Sequence, residues 1–139
     1  MRAPQKWHQA AIRAAYASGD DAWKLTAVFC MRFVRGFDEQ ILEALGTRNP
    51  DVHYEAVRAA GAWGVDAAWP HIAALVTSGG TDKPLLLAAI EAVASIRPRE
   101  VAEILDDLTD SDDEVIVEAV SEAMTMAEGL ADEDDEPRH

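Results

Sequence analysis

Apolar residues recur along this chain on a helical beat, and the beat is itself repeated. In four stretches, 20–36, 49–65, 82–98 and 112–128, small-then-branched pairs stand at Ala27-Val28, Ala56-Val57, Ala89-Ile90 and Ala119-Val120. Aligned on these pairs, the stretches are spaced by 29, 33 and 30 residues. Seven positions ahead of each aligned alanine stand Asp20, Asn49, Asp82 and Asp112. All four are residue types that cap a helix by accepting a bond from its orphan N–H groups. Three positions after the cap come Trp23, Val52, Leu85 and Val115. Eleven after come Met31, Ala60, Val93 and Ala123, and fourteen after come Val34, Trp63, Ile96 and Met126. Offsets of 3, 7, 8, 11 and 14 trace one face of an α-helix, so each stretch is expected to be a helix packed on that face.

The first three stretches are each followed by a shorter pattern, at 37–47, 65–77 and 98–109. Here Leu42/Leu45, Ile72/Leu75 and Leu105/Leu108 align with the same spacing. The pattern predicts a helix, a turn near Gly36, Gly64 or Pro98, and a second helix. Residues 4–18 read as one more helix of the second type. The last residues, 129–139, are acidic and nearly free of apolar side chains, so a disordered tail is expected there. The organisation is one domain, 1–128: an N-terminal helix at 4–18, then units at 20–48, 49–81, 82–111 and 112–128. The lone second-type helix at the start also fits the C-terminal portion of a longer array. A single helix pair cannot bury its apolar face, so the units must stack. The fold expected is all-α, a short right-handed α-solenoid of about three and a half to four helix pairs.

The stretch "NPDVHYEAVRAAGAWGVDAAWPHIAALV" resembles HEAT-like repeats of the phycobilisome-lyase-like type. Asn49-Pro50-Asp51 and Val52 match the cap, Ala56 to Ala60 the Ala-rich first helix, and Gly64 the turn. Ala68, Pro70 and Ile72 match the opening of the second helix. The resemblance covers about residues 20–128. Unit one departs from it, with Gln40 in place of the second-helix proline. The aligned arginine, Arg58, is Phe29, Glu91 and Ser121 in the other units. The resemblance implies a protein-binding scaffold whose second helices line the concave side. The outward face of those helices would carry Gln40 and Glu43 in unit one. In unit three it would carry Glu103, Asp106, Asp107 and Asp110, which are all acidic. Trp69, flanking that face near His71, would either anchor a partner or lie half-buried between repeats; Trp23 and Trp63 fall on core columns.

Charge sharpens this picture. The net charge is −14, yet through Trp69 the chain holds eight basic and eight acidic residues. The remainder holds four basic and eighteen acidic ones, so the whole imbalance lies there. Nucleic-acid affinity comes mainly from Lys and Arg neutralising phosphates, which argues against that partner. The same field attracts a basic protein segment. No apolar run approaches the roughly 20 residues needed to span a bilayer. The N-terminus lacks the apolar stretch of a secretory signal, and a cytoplasmic protein is expected.

The chemistry is sparse. Cys30 is the single cysteine, in a position that alanine fills in other units. Four histidines, His8, His53, His71 and His139, show no metal-ligand spacing. The reading is therefore non-enzymatic, with no catalytic residue, no metal and no cofactor. The partner would be another protein with a basic or polar segment, bound on the acidic concave surface. The family resemblance leaves a phycobilin-lyase-like accessory subunit, acting on a chromophore–protein conjugate, as the alternative. One more feature stands out: Leu25, Phe29 and Phe33 recur at i, i+4 and i+8, off the core columns. Either the N-terminal helix covers them as an end cap, or a second chain does, giving a monomer or a weak dimer through that end.

Overall fold

The computed structural model describes residues 4–135, with side chains from 9 to 129. Eight α-helices follow one another among these residues, and no strand is present. They are α1 (Pro4–Ala17), α2 (Asp21–Cys30), α3 (Asp38–Ala44), α4 (Pro50–Trp63), α5 (Trp69–Thr77), α6 (Lys83–Ile96), α7 (Val101–Ile104) and α8 (Glu114–Asp135). Short 3-10 turns at Asp66–Ala68, Pro98–Glu100 and Asp106–Leu108 lead into or out of the second helices.

The first helices of the units, α2, α4, α6 and α8, pack directly on one another in chain order, whereas the second helices touch sparingly. The shared core is the repeated face. Ala27, Val28 and Met31 stack on Ala56, Val57 and Ala60, then on Ala89, Ile90 and Val93, and finally on Val120 and Ala123; all are buried. The second helices add Ile41, Leu45, Ile72, Val76, Val101 and Leu105. Small residues let the helices approach closely. A Cβ placed on Gly61 of α4 would stand 3.0 Å from both Cα and Cβ of Ala92 on α6.

The expected core columns hold at their middle offsets and hold only in part at the outer ones. Val52 is buried, but Trp23 is 58% exposed and Val115 49% exposed. Met126, on the last offset, is also exposed, while Trp63 is half-buried. Trp23 stands on the first turn of α2 and Val115 on the first turn of α8, and neither turn is covered by the helices packed on it. Trp63 keeps its packing role, and its indole N–H donates to the Met31 carbonyl at 2.6 Å, across two units.

The caps are met unevenly. Asp20 accepts from the N–H groups of Ala22 and Trp23, and Asn49 from those of Asp51 and Val52. Asp82 makes no side-chain capping bond. For α8 the bond comes from Asp113, not Asp112: the Val115 N–H donates to it at 2.9 Å. Asp113 also pairs with Lys83 Nζ at 2.8 Å, which ties the start of α8 to the start of α6. Gly64 ends α4 in the left-handed conformation, φ 58°, as a glycine C-cap does.

Two further expectations change. The second helix of unit three is not one helix: a 3-10 turn, the single turn α7 and another 3-10 turn replace it. At the other end, α8 runs to Asp135, so the stretch expected to be a tail is helical up to that residue. Residues 136–139 lie outside the described residues.

Candidate functional site

The residues singled out from the sequence fall into three different settings. Glu103, Asp106, Asp107 and Asp110 are all exposed. They do not share a helix face, because the chain breaks at Leu105: Glu103 stands on α7, Asp106 and Asp107 on the following 3-10 turn, and Asp110 beyond it. Among the described residues no cation comes within ion-pair distance of any of the four. The acidic strip is therefore an exposed cluster on a broken segment, with no cation paired to it among the described residues.

The unit-one positions are occupied by contacts within the chain. The Tyr16 hydroxyl of α1 donates to Glu43 Oε1 at 2.6 Å and to the Gln40 carbonyl at 3.4 Å. Burial and then the Glu43 carboxylate push the Tyr16 hydroxyl pKa well above its ordinary value. These bonds hold α1 against α3.

Trp69 is not an exposed anchor; it is buried at the start of α5, and the Arg97 guanidinium stands 5.0 Å above its ring. Arg97 in turn holds Asp66 through both carboxylate oxygens, at 2.9 and 3.1 Å, and reaches Glu100 at 3.4 Å. The Arg97 hydrogen bonds keep the Asp66 carboxyl below its usual range. The indole is thus the floor of a charged latch between units two and three.

His71 is paired with His53, contrary to the reading of isolated histidines. Their Nε2 atoms lie 2.8 Å apart and the rings meet edge to face, with centroids at 5.0 Å. One ring must donate and the other accept, which requires at least one of them to be neutral. Burial lowers both pKa values, and the neighbouring His71 lowers that of His53 further. The two residues are 18 apart in sequence, one on each helix of unit two, so only the helix pairing brings them together. Among the described residues no group of three metal-ligating side chains forms. The side chains of His8 and His139 lie outside the described residues.

A further recess lies along the first-helix layer. One recess is lined by Arg32 and Phe33 from the turn after α2, Arg58 from α4, Glu91 and Ser95 from α6, and Met126 from α8. The recess thus draws on the turn after α2 and on α4, α6 and α8, one contribution from each of the four units. The second helices, expected to line the concave side, do not form this recess. From the described side chains of α1, Ile12 is buried, Gln9 donates to the Arg35 carbonyl at 2.7 Å and Arg13 lies over Phe37, so these contacts fall beyond the Leu25, Phe29 and Phe33 row. Leu25 is half-buried, but Phe29 and Phe33 are 43% and 63% exposed. Their rings meet edge-on at 5.6 Å, and the Arg32 guanidinium lies 4.8 and 4.9 Å from the two centroids.

Stacked helix pairs with a small-residue core, aligned first helices and a groove along one layer define a helical-repeat solenoid. A family model of HEAT repeats matches residues 39–125, and the chain belongs to that family. The match takes in unit two and the seam with α6 that the core geometry makes most intimate. Neither the curated proteins nor the solved structures include a match to this chain.

Proposed function

We propose that this chain is a non-catalytic protein-binding module that takes a basic segment of a partner on the acidic cluster of its third unit. HEAT repeats commonly serve as interaction scaffolds, and the family is the starting point of this reading. The observation that carries it is the state of Glu103, Asp106, Asp107 and Asp110: exposed, adjacent, and without a cation among the described residues. Elsewhere, Asp66 and Asp113 are matched by Arg97 and Lys83. Four exposed carboxylates on a short segment create a local negative potential that steers a basic partner.

The test compares two variants of equal charge. One carries Glu103→Gln, Asp106→Asn, Asp107→Asn and Asp110→Asn. The other carries Gln at Glu114, Glu118, Glu122 and Glu128 of α8, all exposed. A fluorescent lysine-rich decapeptide is titrated into each by anisotropy. Strip-specific binding weakens about tenfold or more in the first variant and changes little in the second. Equal weakening in both would mean only that the chain is acidic, and would end this reading.

A further inference from the structure

The recess on the first-helix layer has the opposite character from the acidic cluster, in a chain with 26 acidic and 12 basic residues. Two of its lining residues are arginines, Arg32 and Arg58, against one carboxylate, Glu91. Among the described residues neither arginine has a carboxylate within ion-pair distance. Arg58 spends one donor on the Tyr54 hydroxyl at 3.1 Å. Arg32 is the sharper case. Its Nε is shut off from solvent and has no hydrogen-bond acceptor. Only Nε is shut off in this way, so the two terminal nitrogens, which make no hydrogen bond among the described residues, are the donors open to an incoming acceptor. Glu55 of α4, whose own Oε1 is also buried and unpartnered, does not supply it.

The guanidinium is also held in place. Stacking against both Phe29 and Phe33 fixes its plane before any partner arrives, which lowers the ordering cost of binding. Around it the rim is apolar and open. Phe29, Phe33 and Met126 are the exposed large apolar residues of this layer beside Trp23 and Val115. A held, unmatched guanidinium beside bare aromatic rings suits a carboxylate flanked by an apolar side chain. It does not suit a basic segment.

We propose that this recess is a second docking site, which takes an acidic segment of a protein partner. One carboxylate of the segment enters between Arg32 and Arg58, and a neighbouring apolar side chain lies on Phe33 and Met126. The partner is recognised by a negative charge next to an apolar group, in extended or helical form. This site is separate in residues and sign from the acidic cluster of unit three, so either can fail alone.

The probe is a short peptide of alternating glutamate and leucine, labelled for anisotropy and titrated into the full chain. Its control has glutamine for every glutamate. The expected result is saturable binding of the glutamate peptide, weakened about tenfold or more by Arg32→Gln with Arg58→Gln. Arg32→Lys, which keeps the charge but loses the planar fork, should recover only part of that loss. Phe33→Ala should weaken both peptides, and far-UV circular dichroism checks that each variant is folded. Equal binding of the glutamine peptide would make this an apolar groove and overturn the proposal. So would binding that survives the double arginine change, or no binding to the wild-type chain.

Discussion

Gly61 offers a sharp test of how closely the units stack. It lies in α4, buried against α6, the helix pair that makes the most extensive contact of the molecule. In Gly61→Ala the new methyl would stand 3.0 Å from Ala92 Cα and Cβ. Comfortable carbon–carbon contact needs about 3.5–4.0 Å, so the two helices must part locally by roughly 0.5–1 Å. Backbone cannot swing aside as a flexible side chain would, and the neighbouring Val57, Ala60, Ala89 and Val93 must follow. Overpacking of this kind costs about 1–3 kcal/mol. Against it stands the helix-propensity gain of alanine over glycine, about 1 kcal/mol. The sum is a loss of roughly 0–2 kcal/mol, and Gly61→Val adds two methyls and a β-branch and must lose more. Gly129 in α8 is the control, because a Cβ there meets nothing within 4 Å. Gly129→Ala should gain up to about 1 kcal/mol. Urea denaturation followed by circular dichroism at 222 nm reads all three against wild type, as shifts in midpoint at constant slope. If Gly61→Ala stabilised the chain as much as Gly129→Ala, the tight α4–α6 seam would be wrong.

Two further outcomes follow from the caps and the histidine pair. Asn49→Ala removes an acceptor used by two N–H groups and should cost about 1 kcal/mol, whereas Asp82→Ala removes only a charge near a helix start and should cost a few tenths; equal losses in thermal melts would contradict the geometry. The folded pKa values of His53 and His71 lie below the unfolded value of about 6.5, so the unfolded chain takes up these protons first. Their contribution is therefore full above that pH and is lost as pH falls through the lower folded values, and His71→Gln should flatten the slope of stability below about pH 6.5. Asp66 and Asp113 are held below the ordinary carboxylate range and act only in more acid solution, which leaves that window to the histidines.

Much of the architecture was legible in the chain before any coordinates. The offsets 7, 8 and 11 after each cap mark the buried face in all but one place, since Ala119 is half-buried. That face depends on the 3.6-residue helical period alone, and the period is written in the residue order. The cap at Asn49 and the left-handed turn at Gly64 are local in the same sense, because each is satisfied within a few residues. The outer offsets were legible only in part. Whether Trp23 or Val115 is covered depends on which helix stands beside it.

The site was read less well, for the same reason. Net charge and the run of carboxylates at 103–110 are properties of composition, and they are visible in the sequence. Their display is not: the break at Leu105, the burial of Trp69 beneath Arg97 and the meeting of His53 with His71 all require partners 18 to 31 residues away or a lost helix. The Arg32 recess needed still more, since it draws side chains from four units. The sequence by itself determined the period, the helix starts, the small-residue core and the uneven charge, because each is a short-range or additive property. Only the tertiary structure decided which side chains meet in the first-helix recess and which aromatic rings stay bare, because those depend on how helices far apart in the chain pack together.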